Sequence, residues 1–129
     1  MGNMKVLITG GCSDIGTSLS ERLVSTGCQV TIFDKKKPSS KKKGIDFIQG
    51  DIRDFHTVSS AAKGCNAGIH LAALSGEVAD SEILSVNVIG VCSFLLAARK
   101  GRISKLHHRG LCSSASNGKG SGRQLSFTI

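Results

Sequence analysis

The stretch Lys5-Val6-Leu7-Ile8-Thr9-Gly10-Gly11, with Gly16 shortly after it, restricts this chain more than any other part of its sequence. An apolar run that stops at paired glycines reads as a strand buried on both faces of a parallel sheet. Strands with one wet face alternate polar and apolar residues, and this one does not. Parallel neighbours cannot be joined by a tight hairpin and need long crossover connections. A chain that opens in this way is committed to alternating strands with helices.

The rest of the sequence keeps that alternation. Ile15, Leu19 and Leu23, with Val24 beside them, recur at helical spacing, and Gly27 supplies a stop. Residues 30–33 read as a second strand and 45–48 as a third. Residues 54–63 form a polar, helix-like stretch that ends at Gly64; 68–71 continue as a fourth strand and 81–100 as a long helix. The expected fold class is α/β, a Rossmann-like doubly wound parallel sheet.

Several partner classes are argued against by composition. With 129 residues there is room for one domain at most. No uninterrupted apolar run reaches the roughly 18 residues of a membrane span, and the N-terminus has no signal-peptide pattern, so the expected address is the cytoplasm. The five cysteines (Cys12, Cys28, Cys65, Cys92 and Cys112) form no Cys-x-x-Cys pair and no Cys/His spacing suited to zinc. They are expected to be reduced and mostly buried. The net charge of +8 suggests nucleic acid, yet residues 1–98 carry 10 Lys/Arg against 9 Asp/Glu, so the basicity belongs mainly to residues 99–129. A second basic cluster at 35–43 is broken by Pro38, Ser39 and Ser40 and reads as a solvated loop. Without Trp or Tyr to stack on bases, neither basic region looks like a reader of single strands.

In its strand–turn–helix context the glycine turn becomes a candidate pyrophosphate site, because a helix N-terminus presents unpaired N–H groups and a partial positive charge. Gly10 allows the tight turn and Gly16 lets the helix pack closely on the strand. Asp34 follows about 20 residues on, at the end of the second strand, where a carboxylate can accept hydrogen bonds from ribose hydroxyls. That favours NAD over NADP, although Lys35–Lys37 could neutralise a 2′-phosphate.

Four segments, in matching order and spacing, resemble the N-terminal part of an extended short-chain dehydrogenase/reductase of the NAD-dependent epimerase/dehydratase group, which acts on nucleotide sugars. They are MKVLITGGCSDIG (4–16), QGDIRD (49–54), IHLAALSG (69–76) and NVIGVCSFLLAARKG (87–101). The resemblance implies a cofactor contact surface at Gly10, Gly11, Cys12, Ser13, Asp14, Ile15 and Gly16, with Asp34 on the ribose. It also implies Asp51 and Ile52 against the adenine, and Leu71, Ala72 and Ala73 along the path to the nicotinamide. Asn87 is implied as a structural hydrogen-bonding residue, and His70 as packed rather than catalytic. Dimerisation through the 81–100 helix, with a second copy or with a full-length relative, is the implied mode of association.

The departures from the family pattern are equally informative. The extended pattern has glycine where Ser13 stands and an aromatic residue where Asp14 stands; the short-form pattern has glycine at Asp14. Ser13 adds a Cβ but offers a hydroxyl to phosphate, whereas the Asp14 carboxylate caps the helix and repels pyrophosphate. Asp14 is therefore expected to weaken binding, and equal NADH affinities of wild type and Asp14→Phe would remove that expectation. Family catalysis requires a tyrosine and a lysine four positions apart, with a serine or threonine on the fifth strand. The sequence contains no tyrosine, so no catalytic residue is assigned, and Ser113, Ser114 and Ser116 lack a partnered histidine and carboxylate. Turnover by this chain alone is not expected, unless it works with a separately encoded C-terminal part.

Residues 1–105 are taken as the NAD(P)-binding domain and 106–129 as a basic Gly/Ser-rich tail that is poor strand material. The fifth strand is therefore in doubt and the sheet is expected to be truncated. A forward shift of one base lets Leu-His-His become Phe-Ile-Ile, so the tail from Leu106 reads as out of frame; resequencing the coding DNA would decide this. Without a fifth strand the fourth would carry an unpaired edge, and Val88, Ile89, Val91, Phe94, Leu95 and Leu96 would lose part of their cover.

Overall fold

The computed structural model describes residues 3–74, 76–109 and 124–128. Five strands, β1 (Lys5–Thr9), β2 (Gln29–Asp34), β3 (Ile45–Gln49), β4 (Ala67–His70) and β5 (Lys105–Arg109), run parallel in the order β3-β2-β1-β4-β5. A sixth, β6 (Gln124–Thr128), pairs antiparallel with β5. Helices α1 (Asp14–Ser25) and α2 (Phe55–Ala62) provide crossovers, as does a continuous helix from Asp80 to Lys100. That long helix consists of α3 (Asp80–Leu84), a π-helical turn (Ser85–Ile89) and α4 (Gly90–Lys100). The elements fall where the apolar spacing puts them, within a few residues at their ends.

Both faces of the sheet are covered, as the unbroken apolar run of β1 requires. On one face Val6, Ile8, Val30 and Ile32 pack against Leu19, Leu23 and Val24 of α1. On the other, Leu7 and Phe33 meet Val58, Ala61 and Ala62 of α2 and Phe94, Ala97 and Ala98 of α4. The chain departs in opposite directions on the two sides of β1, which pairs with both β2 and β4. A crevice therefore opens beyond the C-terminal ends of these strands, the place where doubly wound sheets bind ligands.

The doubt over the fifth strand is corrected. β5 lies beside β4 in parallel register, Gly68 against Leu106 and His70 against His108, so the edge of β4 is paired. Packing outweighs the poor local propensity of Lys-Leu-His-His-Arg. Leu106 is 4% exposed and fills the space beside Phe94 that Gly68 leaves open, where a Cβ on Gly68 would stand 2.8 Å from Phe94 Cζ and 3.0 Å from Leu106 Cδ2. The His108 ring stacks on His70, 5.3 Å between centroids. Of the helix residues expected to lose cover, Phe94 is fully buried, while Val88, Ile89, Leu95 and Leu96 are exposed. The serine-rich 113–116 segment lies outside the described residues.

One further expectation changes. Among the described cysteines only Cys65 is buried; Cys12 and Cys28 are half-buried and Cys92 is exposed on the long helix, so "mostly buried" does not hold. The 21-residue helix Asp80–Lys100 has a mean hydropathy of 1.8 over its most apolar window, long and apolar enough by length and composition to cross a membrane. Ser85, Asn87, Gly90 and Ser93 interrupt its apolar residues, so no uninterrupted run reaches that length. One face of this helix forms part of the core described above.

Candidate functional site

The glycine turn has the shape that its sequence suggests, for reasons found in its neighbours. Gly10 has φ +70°, and a Cβ there would lie 2.6 Å from the backbone N of Ala72. No other residue type fits between β1 and the segment that follows β4. A Cβ on Gly16 would stand 2.6 Å from Gly11 Cα, which is the close approach of helix to turn.

Ser13 is the N-cap of α1: its hydroxyl accepts from the Gly16 N–H at 3.1 Å and donates to the Gly10 carbonyl at 2.9 Å. The hydroxyl is thus engaged within the turn, and capping falls to Ser13, not to Asp14. Asp14 and Ile15 are exposed, on the outer surface of α1 beside Ser18 and Arg22.

Asp34 ends β2 directly against this turn. Its Oδ2 accepts from the Cys12 N–H at 2.9 Å and its Oδ1 from the Lys36 N–H at 3.0 Å. One lone pair on each oxygen remains for a further donor. The Cys12 thiol donates to the Lys36 carbonyl, 3.2 Å away. Burial, and then the Asp34 charge, push this thiol above its usual range and keep it protonated.

A cavity of about 340 Å³ runs from this corner across the strand ends. Gly10, Cys12, Ser13 and Asp34 form one end; Asp51, Ile52 and Arg53 form a second wall. Leu71, Ala72, Ala73 and Leu74 form the third. Of the residues singled out in the sequence, Gly11, Asp14, Ile15 and Gly16 do not line it. Gly11 instead gives way to Ile32, whose Cγ2 would be 2.5 Å from a Cβ at that position. Ile52 is only 6% exposed and its side chain packs beneath Gly90.

The third wall is held by Asn87 on the π-helical turn. Its Oδ1 accepts from the Leu74 N–H at 2.8 Å, and its Nδ2 donates to the Leu74 carbonyl at 3.0 Å. Asn87 is thus the structural hydrogen-bonding residue that the resemblance implies. His70, 1% exposed, shares a 2.6 Å hydrogen bond between Nδ1 and Thr9 Oγ1, and its ring stacks on Phe94. Desolvation by burial, with His108 adding to it, lowers its pKa to about 3. It is a packed neutral histidine, as expected.

Sequence reasoning passed over Arg53 and Glu82, both of which line the cavity; Lys35 and Lys36, weighed as partners of a 2′-phosphate, line it too. Arg53 lies in the same QGDIRD segment that singled out Asp51, so a signal was present. Glu82 carries no motif and reaches the cavity only because the long helix returns across the strand ends.

Comparison with known proteins agrees with this geometry. The sequence matches the 3-beta hydroxysteroid dehydrogenase/isomerase family over residues 7–117. It is 31% identical over 109 residues to a 4-hydroxy-2-methyl-3-oxo-4-farnesyl-3,4-dihydroquinoline-1-oxide ketoreductase from Stigmatella aurantiaca, a match covering 81% of this chain and 33% of that protein. Among solved structures, the UDP-glucose 4-epimerase of Thermus thermophilus in complex with NAD superposes with a TM-score of 0.71 at 31% identity, covering 80% of this chain and 36% of that one. A uronate dehydrogenase variant from Agrobacterium tumefaciens complexed with NAD superposes with a TM-score of 0.68 at 26% identity, covering 76% of this chain and 37% of that one. The chain thus spans about a third of the length of these relatives. A parallel sheet with its crevice at the β1/β4 switch and a match over most of the sequence lead to one conclusion: the chain belongs to the 3-beta hydroxysteroid dehydrogenase/isomerase family, of the epimerase/dehydratase type of short-chain dehydrogenase/reductase.

Proposed function

We propose that the chain is an NAD-binding domain that holds the dinucleotide along the C-terminal ends of β1, β2 and β4 and does not by itself turn over a substrate. The observation that carries this reading is the corner at Asp34. Its carboxylate lies 2.9 Å from the Cys12 N–H, beside a Gly10 that tolerates no side chain, and keeps acceptor capacity for a ribose hydroxyl. NAD in both solved neighbours supports the same choice of cofactor. The residues fit the group: the turn ending at Ser13 lies at the pyrophosphate end, Asp34 at the ribose, Asp51 and Ile52 at the base, and Leu71–Ala73 toward the nicotinamide. When bound, NAD supplies hydride acceptance. Of the family's catalytic pair this sequence has no tyrosine, which is why turnover is excluded from the proposal.

Fluorescence titration of the purified chain with NADH tests the reading. Saturable binding is expected, with NADH favoured over NADPH, and Asp34→Ala should weaken it about tenfold through loss of a charge-assisted hydrogen bond. Absence of saturable binding overturns it.

A second reading is favoured by the outer face of the long helix. Leu84, Val88, Ile89, Leu95 and Leu96 are between 40% and 62% exposed, more apolar surface than one small helix normally shows to water. On this reading the chain acts as a non-enzymatic partner, pairing through this helix with a second copy or with a full-length relative.

A further inference from the structure

Arg53 grips its neighbour Asp51 within one wall of the cavity and also reaches across to the long helix. Its Nε donates to Asp51 Oδ1 at 2.9 Å and its Nη2 to Asp51 Oδ2 at 2.6 Å, a two-pronged grip on one carboxylate; its backbone N–H adds a third bond to Oδ1 at 2.9 Å. Nη1 reaches across to the long helix, donating to Glu82 Oε1 and Ser85 Oγ, both at 3.2 Å. The Arg53 carbonyl accepts from Ser93 Oγ of α4 at 3.3 Å. The turn after β3 is thereby fastened to both halves of the long helix. With this guanidinium on both of its oxygens, the Asp51 carboxyl sits well below the usual carboxylate range, at about 2.

A carboxylate gripped in this way is a pure acceptor with a fixed plane. A base edge meets it by offering a donor at that place, as the exocyclic amino group of adenine does. A base with a carbonyl oxygen at the same place sets oxygen against oxygen, and no hydrogen bond forms between them.

We propose that Arg53 is a positioning residue that gives this cavity its preference for an adenine base, by holding Asp51 as a fixed acceptor toward the exocyclic amino group. The inference rests on reading the cavity as the dinucleotide site.

The test compares reduced nicotinamide adenine dinucleotide with reduced nicotinamide hypoxanthine dinucleotide, which carries a carbonyl in place of the amino group. Both are titrated by fluorescence into the full chain. Wild type should favour the adenine form about tenfold, the size of one charge-assisted hydrogen bond. Arg53→Met should bring the ratio to within about twofold, mainly by weakening the adenine form, because the unheld carboxylate no longer presents a fixed acceptor. Arg53→Lys keeps the charge but not the fork and should give an intermediate ratio. In an Asp51→Asn background, Arg53→Met should leave the ratio unchanged, because a residue that acts through another has no effect once that other is gone.

A wild-type ratio in whichever Arg53 variant is recovered folded, even with both affinities lowered equally, makes the arginine a structural tie only and overturns the proposal. Equal affinity of wild type for both dinucleotides overturns it too, while leaving the cavity reading intact. Binding of neither dinucleotide defeats the cavity reading and the Arg53 proposal with it.

Discussion

Gly10 and Gly27 both have positive φ, +70° and +91°, but only Gly10 is hemmed in: nothing stands within 4 Å of a Cβ at Gly27. Gly27→Ala should therefore cost only backbone strain, about 1 kcal/mol, whereas Gly10→Ala adds a clash with the Ala72 backbone and should cost on the order of 2–3 kcal/mol. Urea denaturation measures the difference, and Gly10→Ala should also abolish NADH binding.

His70 makes a second prediction at this scale. Its pKa falls from 6.5 in the unfolded chain to about 3 in the fold, where it is buried and neutral. Between those values the unfolded state binds more protons. The stabilisation is fully present above pH 6.5 and is lost as pH falls toward 3, at up to about 1.4 kcal/mol per pH unit. His108, lowered in the same direction by its own burial, adds to this slope. Asp51 titrates too low to contribute above about pH 5. His70→Phe keeps the stacking without the titration, so its stability should fall by about 2 kcal/mol less than that of wild type between about pH 6.5 and 5. Equal slopes in the two proteins would rule out His70 as their source.

At the scale of elements, β5 is the informative case. Its sequence has one aliphatic residue, Leu106, and that residue occupies the one core position that the strand must fill. Leu106→Ala should cost about 2–4 kcal/mol, the range for emptying a packed core site. A cost under about 0.5 kcal/mol, typical of surface positions, would mean that β5 does not hold this place in the sheet. The long helix is the other case. Of its residues expected to lose cover, Phe94 is buried, with Ala97 and Ala98 beside it, because β5 and Ile103 close the core there. Its outer face has no such cover within the described residues.

At the scale of the whole molecule, that outer face carries the partner reading. If two copies pair through it, sedimentation should find a dimer, and Leu96→Lys should shift it to monomer, since burying an unpaired charge among Leu84, Val88 and Leu95 costs more than the apolar contact gains. Wild type that stays monomeric would defeat pairing with a second copy without touching the cavity at the strand ends.

The sequence alone determined the alternation of strand and helix, the doubly wound class of the sheet and the glycine turn with Asp34 following it. These depend on short-range patterns: apolar runs, helical spacing and glycine at a forced turn. That Asp51 lines the cavity was also legible, within one motif. The tertiary structure alone decided that Lys105–Arg109 joins the sheet, that Ser13 and not Asp14 caps α1, that Ile52 turns into the core, and that Arg53 ties Asp51 to Glu82. Each depends on residues far apart in the chain, or on which way a side chain turns once its neighbours are in place, and local spacing carries no record of either.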